Sequence, residues 1–313
     1  MQKQPLVSFV ITTCDTQPAL LRQCICSITA LSLSAQEREI IMIDDGSTTS
    51  ALNDIIDIAD DILYIRQARQ GLSAARNRGL QTATGKFVQF IDGKYSIIQV
   101  AYEHCLDIVR YHNPDIVSFK GAAEGKKVDT PFTYDGPMAG NYFMRNNTIN
   151  TAAWSYIFER KMLGSLRFDE SITNDDEGFT PQLFLRSERF FHTSSEACRL
   201  TTTDNTTDVV SQQGDINKML DDTEKVLLRL QKLIVPDTDR PALNRRIAQL
   251  TMEYISNIIR QTHDRYLLNE RLDTLKACGL FPLPERDYSK KYRYMRKMIN
   301  NSLLRRLLFV TMK

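Results

Sequence analysis

The sequence predicts an α/β fold, a mostly parallel sheet flanked by helices, followed by a helical C-terminal region. Three observations predict it. Up to about residue 119, short apolar and β-branched runs alternate with amphipathic stretches, the pattern of strands joined by crossover helices. From about residue 215 the apolar repeat changes to roughly 3.6 residues. The length of 313 residues, with 42% hydrophobic and 25% charged residues, is that of an ordinary globular chain able to bury a sizeable core.

The first strand is expected at residues 7–12, where the apolar run 6–11 is interrupted by Ser8 and then turns polar, unlike a secretory signal. A helix at 18–31 follows, with Pro18 suited to its first turn. Strands at 39–43 and 62–65 enclose a helix at 51–58. A helix at 73–82 leads to a strand at 87–91, and a helix at 97–111 leads to a strand at 116–119. Right-handed crossovers put the loops after the first, second and fourth strands on one carboxyl edge, where ligands bind in such sheets. Residues 121–209 read as irregular, with Gly and Pro punctuation around 130–140 and one helix at 179–189. Beyond Asp215, Leu243, Ile247, Leu250, Tyr254 and Ile258 form one helical stripe. Ile216, Met219, Val226, Leu230 and Leu233 nearly form another. Two or three helices, a Pro-rich joint at 281–284 and a basic tail are expected, dividing the chain into domains 1–214 and 215–313.

The formal charge of +2 conceals an asymmetry, because residues 286–313 carry nine basic residues against the single acid Asp287. The tail is therefore +8 and the remainder −6. An acidic body disfavours nucleic acid, and an anionic partner should meet the tail. Apolar residues among the arginines and lysines suit an anionic membrane surface. The apolar faces of Met295, Met298 and Ile299 and of Leu303, Leu304 and Leu307 differ by about half a turn, so a break is expected at 300–302. Packing of one half onto the body is an equal alternative. Six cysteines without a CxxC pair, and histidines without HxxxH spacing, indicate neither a zinc site nor a disulfide framework. No apolar run approaches the roughly 20 residues of a membrane span. The expected location is the cytoplasm, at most peripheral at the inner face of the membrane.

Three segments carry the chemistry. Ile41-Met42-Ile43-Asp44-Asp45-Gly46-Ser47 is an apolar strand ending in paired acids, which can accept hydrogen bonds from a base N–H or ribose hydroxyls. Alone, it more commonly marks a turn and helix cap. Gln70-Gly71-Leu72-Ser73-Ala74-Ala75-Arg76-Asn77 leads through a glycine into a small-residue helix, with Arg76 and Arg78 as candidate phosphate contacts. Phe87-Val88-Gln89-Phe90-Ile91-Asp92-Gly93-Lys94 brings Asp92 and Lys94 to the same edge.

In this order, the segments resemble the inverting glycosyltransferases of family 2, which have a GT-A fold with VDDGS, G-x-x-x-A-R-N and Asp-x-Asp motifs. Downstream, Trp154-Ser155-Tyr156 and Asn174-Asp175-Asp176-Glu177-Gly178-Phe179 are similar to the family's Trp-containing acceptor segment and its E-D-E-x-F motif, whose aspartate is the catalytic base. The resemblance spans about residues 5–195. It implies a GT-A nucleotide-binding sheet in which Thr12 and Asp45 hold the nucleobase, with Asp44 also in the donor site. Arg76 would lie beside the nucleotide, Asp92 at the ribose or metal shell, and Gly93 would allow close approach. Asp176 would be the base, with Trp154, Asp175 and Glu177 on the acceptor side. Trp154 could equally fill the core, and the acids before Phe179 would also suit a helix start.

The family pattern breaks at position 94, where lysine replaces the second aspartate of Asp-x-Asp. Lysine cannot ligate a hard cation. The metal ligands are thereby reduced to Asp92, and the expected cofactor is either none, or Mg²⁺ or Mn²⁺ if the degenerate motif still holds one. In one reading the Lys94 ammonium replaces the metal beside the leaving diphosphate. In the other the protein is a noncatalytic GT-A-like nucleotide-binding or scaffold protein. A nucleotidyltransferase is disfavoured, because no glycine-rich phosphate loop follows Thr12-Thr13-Cys14-Asp15. The expected function is inverting transfer of a sugar from a nucleotide-sugar donor to a glycan or lipid-linked acceptor, as in polysaccharide biosynthesis, with 121–150 as a lid or acceptor wall.

Overall fold

Seven consecutive buried residues, Val7–Thr13, form β1 and run between two parallel neighbours. The computed structural model describes residues 4–122, 132–201 and 213–311. After β1 come α1 (Pro18–Thr29), β2 (Arg38–Asp45), β3 (Ile62–Gln67), α2 (Leu72–Thr82), β4 (Phe87–Asp92), β5 (Tyr95–Ile97), α3 (Gln99–Tyr111) and β6 (Ile116–Ala122). Then follow β7 (Tyr134–Met138), α4 (Gly140–Asn146), β8 (Tyr156–Glu159), α5 (Asp176–Leu185) and β9 (Phe190–Leu200). The C-terminal helices are α6 (Gln213–Lys232), α7 (Arg240–Thr262), α8 (Arg265–Ala277), α9 (Lys290–Asn300) and α10 (Ser302–Thr311). Two compact units divide the chain: Met1–Gly140 with Asn150–Asp208, and Asn141–Ile149 with Val209–Lys313.

In the first unit the strand order is β3-β2-β1-β4-β8-β6-β9-β5, with β7 paired to β9. The strands β3, β2, β1 and β4 are parallel. The antiparallel strand β8 then joins β4 to β6. The chain leaves β1 for β2 on one side and returns to β4 on the other, so the order reverses at β1. A crevice opens at the carboxyl ends of strands flanking such a reversal. On α1, Leu20, Leu21, Cys24, Ile25 and Ile28 are buried at helical spacing against the sheet. Gly79 brings α2 down onto β1, since a Cβ there would stand 2.2 Å from Val10 Cγ1.

The structure departs from the sequence reading in three places. Residues expected as a helix at 51–58 form two 3₁₀ turns, Ala51–Asp54 and Ile56–Ile58. Ile55 breaks them, and a short run rich in β-branched and Asp residues has too little propensity to continue a helix. The region read as irregular supplies β8 and β9, which complete the sheet; β8 has only four residues and β9 carries polar residues on its length. The helix expected at 179–189 runs over Asp176–Leu185, so Asp176 opens it. Of the stretch expected as a lid or acceptor wall, 123–131 lies outside the described residues, and β7 and α4 fall in the remainder.

In the second unit the stripe Leu243, Ile247, Leu250, Tyr254 and Ile258 is buried along α7. On α6, Val226 and Leu230 are buried, whereas Met219 is 39% exposed and Leu220 takes the inward position. No helix among the described residues is long and apolar enough to cross a membrane.

Candidate active site

The carboxyl ends of β1, β2 and β4 meet at the crevice. Register sets Thr12 opposite Asp92 and Thr13 opposite Asp44. A pocket of about 180 Å³ opens there, lined by Thr12, Thr13, Asp45, Ala75, Asp92 and Lys94 among others. The Thr13 hydroxyl oxygen is buried in its wall without a hydrogen-bond partner. A buried hydroxyl left in this state favours a ligand that can pair with it. The rim is braced by Asp15, whose N–H donates to Ser47 Oγ at 3.0 Å and whose carboxylate accepts from the Thr48 N–H at 2.6 Å.

Adjacent residues of a strand face opposite sides, and the paired acids divide accordingly. Asp45 lines the pocket and holds its entrance: one oxygen accepts from Gln67 Nε2 and the Gln70 N–H, the other from the Gly71 N–H at 2.7 Å. Gly71 has φ +97°, open to glycine, and directs the chain into α2. Asp44, expected in the donor site, turns inward instead. It is fully buried and accepts from the Ser47 and Ala51 N–H groups and the Tyr64 hydroxyl. Burial alone would raise its carboxyl, but the hydrogen bonds from Ser47, Tyr64 and Ala51 outweigh it and hold it below the usual carboxylate value. Asp44→Ala should therefore destabilise the first unit by about 3 kcal/mol, the cost of stranding several buried donors. Urea denaturation measures this, and a loss below about 1 kcal/mol would contradict the role.

At the end of β4, the Asp92 carboxylate accepts from the Lys94 N–H at 3.0 Å, closing a tight turn. The Gly93 N–H donates to the Thr12 carbonyl. A Cβ at Gly93 would come within 3.1 Å of Leu21 and 3.3 Å of Thr16, so the turn fits closely. The turn delivers Lys94 to the pocket wall.

Asp176, the first residue of α5, is 8% exposed. Arg76, on α2 and 4% exposed, forms an ion pair with it at 2.5 Å. The guanidinium also lies 5.3 Å from the Phe168 ring centroid and 5.7 Å from that of Phe90. Burial pushes the Asp176 carboxyl up, and Arg76 and the Ala153 N–H offset only part of that rise. Arg76, expected beside the nucleotide, is thus engaged with the acid. Its neighbours on α2 reach the same loop. Asn77 Nδ2 donates to the Phe168 carbonyl and Glu170, its Oδ1 accepts from the Phe168 N–H, and Ser73 Oγ donates to the Ile172 carbonyl. The whole A-R-N face of α2 anchors the loop that leads to Asp176.

Of the acids beside it, Asp175 is 1% exposed and accepts from the Asp169 N–H, and Glu177 accepts from the Thr151 hydroxyl at 2.6 Å. Both were expected on the acceptor side; their carboxylates tie loops around α5. Trp154 is half-buried, its ring 4.9 Å from that of Tyr95. A Cβ at Gly121 would stand 2.6 Å from the indole. Burial pushes the Tyr95 hydroxyl up, and the negative charge of Asp92 adds to that rise.

Residues 8–163 match the model of Glycosyl transferase family 2. The chain belongs to glycosyltransferase family 2 through this domain. It is 27% identical over 208 residues to the uncharacterized glycosyltransferase EpsJ of Bacillus subtilis, covering 59% of this chain and 58% of that protein. With the cholesterol galactosyltransferase of Borreliella burgdorferi it shares 26% identity over 183 residues, 51% of each chain. The chain thus spans less than two thirds of these relatives' length. Among solved structures, S. aureus TarS 1–349 in complex with UDP-GlcNAc aligns with a TM-score of 0.67 at 15% identity, covering 96% of this chain and 92% of that one. The mannosyltransferase PcManGT of Pyrobaculum calidifontis, in complex with GDP-Man and Mn²⁺, aligns with a TM-score of 0.60 at 14% identity, covering 99% and 87%. These likenesses establish the GT-A fold.

Within the family 2 domain, the donor set at the pocket suits a divalent cation poorly. Its two carboxylates are Asp45, whose oxygens accept from Gln67, Gln70 and Gly71, and Asp92, with an ammonium-bearing residue two positions on; no group of three His, Cys, Asp or Glu suited to a metal occurs among the described residues. Sequence reasoning missed Thr13, Asn77 and Tyr95. Thr13 was within reach, since both threonines end a strand at the crevice, but the ties from Asn77 cross about 90 residues of sequence.

Proposed function

We propose that the first unit transfers a sugar from a nucleoside diphosphate donor to an acceptor hydroxyl with inversion. The observation that carries this is the buried Asp176 held by Arg76 of α2, the helix whose adjacent residue Ala75 lines the pocket with Asp45, Asp92 and Lys94. Thr12, Thr13 and Asp45 bind the nucleoside end of the donor. Asp176 takes the proton of the acceptor hydroxyl as its oxygen bonds to the anomeric carbon, while the bond to the diphosphate breaks on the opposite face. One displacement inverts the centre. Lys94 stabilises the negative charge that develops on the diphosphate, in the place where relatives with Asp-x-Asp hold Mg²⁺ or Mn²⁺. The exposed edge of the Tyr95 and Trp154 pair offers an aromatic surface to a glycan or lipid-linked acceptor. The named donors of TarS and PcManGT support a nucleotide-sugar here, and the basic tail suits work at the cytoplasmic face of a membrane.

NMR of slow donor hydrolysis tests this. Incubation with UDP- and GDP-sugars in EDTA should release the diphosphate and, as the first sugar product, the anomer opposite to the donor's. Retention would exclude the single displacement. Binding of a donor without turnover would favour the noncatalytic reading, which the lysine at position 94 motivates.

The pH dependence follows from Asp176. As base it must be ionised, so activity should fall as pH drops through its raised pKa, above the usual carboxylate range. Its contribution to stability has the opposite sense: present below the ordinary carboxyl pKa, and lost as pH rises through the raised one. Arg76→Gln removes a charge that favours the carboxylate, so the acid limb of kcat should move to higher pH, and Arg76→Lys should restore part of the shift. An unmoved limb in Arg76→Gln would contradict the pairing.

A further inference from the structure

In the second unit, α9 and α10 pack against one another and leave an outward face uncovered. Tyr292 and Ile299, seven residues apart, are fully buried on one side of α9. At about 100° per residue the opposite side carries Lys290, Tyr294 and Lys297, all exposed. Asn301 leaves helical geometry, and its side-chain oxygen caps α10 by accepting from the Leu303 and Leu304 N–H groups. That break is the one expected from the sequence, and it re-aims the apolar residues. On α10, Leu308 is buried, and Arg305 turns inward to donate to the Ile299 carbonyl, its guanidinium over the Phe281 ring. Leu303, Leu307 and Val310, at i, i+4 and i+7, therefore point outward, 69%, 52% and 67% exposed. Arg306 is exposed on the flank of this stripe.

An aliphatic stripe turned to water calls for a covering, and the charge around it says of what kind. Asp287 pairs with Arg293 and Glu285 with Arg296. The tail nonetheless keeps its strong positive excess, with Lys290, Lys291, Lys297 and Arg306 exposed. Two copies facing one another through such tails would bring like charges together, whereas an anionic leaflet complements them. We propose that α10 docks on an anionic phospholipid bilayer. Leu303, Leu307 and Val310 enter the boundary of headgroups and acyl chains, and Arg306 with the α9 lysines binds the lipid phosphates. The contact is peripheral, with α10 lying in the interface. It concerns a different unit from the catalytic reading and does not depend on turnover.

Co-sedimentation of the full chain with phosphatidylcholine vesicles, and with vesicles containing about one third phosphatidylglycerol, tests it. Binding is expected to the anionic vesicles, to fall as salt rises, and to be weak on neutral ones. Leu303→Glu/Leu307→Glu should weaken it by roughly tenfold or more, and Lys290→Gln/Lys297→Gln by about fivefold per charge. An unchanged melting temperature confirms that each variant folds. Equal binding to both vesicles, or variants that bind like the wild type, would overturn the proposal. So would a chain that ignores vesicles, and self-association abolished by Leu303→Glu/Leu307→Glu would then assign the face to a second copy. Titration of the same samples with UDP and GDP separates the two readings, since vesicle binding without nucleotide binding retains the docking face and rejects the donor site.

Discussion

Asp176→Asn should lower kcat by roughly 10²–10⁴-fold while leaving nucleoside diphosphate affinity within about twofold. The amide keeps the size and can accept one hydrogen bond, so the helix start and the A-R-N anchor should survive, but it cannot take a proton from an acceptor hydroxyl. The site is built around this residue. Phe168, stacked on Phe179 at 3.9 Å, backs the Arg76 guanidinium, and α2 fixes the loop from Phe168 to Ile172 through Asn77 and Ser73. The proposed donor contacts are Thr12, Thr13, Asp45 and Lys94, which line the pocket without Asp176, so binding and turnover should separate. An Asp176→Asn enzyme with near wild-type kcat would remove it as the base. A variant that has also lost donor affinity would point to a positioning role for the acid.

Lys94→Ala should lower kcat by roughly 10²–10³-fold, the usual loss when a preorganised charge beside a developing anion is removed. Unlike Asp176→Asn, it should also weaken the bound diphosphate, because the ammonium already binds phosphate in the ground state and binds it more strongly as charge develops in the transition state. Lys94→Asp recreates the Asp-x-Asp pattern and should make residual activity depend on added Mn²⁺. Activity of Lys94→Ala at the wild-type level in EDTA would show that no charge at this position is needed.

The parallel half of the sheet was legible because β1, β2 and β4 are buried runs of β-branched and apolar residues, whose period leaves little choice. So was the convergence of Thr12, Asp45 and Asp92, which topology alone brings to one edge. Strands β8 and β9 were not, since a four-residue strand and one carrying His, Thr and Ser lack a clear period. The two aspartates of the VDDGS-like segment look equivalent in sequence, yet strand alternation sends Asp44 into the fold and Asp45 to the pocket; counting by twos along β2 could have separated them. The pairing of Arg76 with Asp176 spans 100 residues, and no local signal distinguishes an arginine that meets a phosphate from one that meets a carboxylate.

The assignment of Lys94 as the charge that serves in place of a metal is tested most directly by calorimetric titration of wild type and Lys94→Ala with UDP and GDP, in EDTA and in Mn²⁺. The expected result is that one diphosphate binds wild type equally well in EDTA and Mn²⁺, and that Lys94→Ala binds it roughly tenfold more weakly in both. Binding that requires Mn²⁺, or that is untouched by Lys94→Ala, would contradict it.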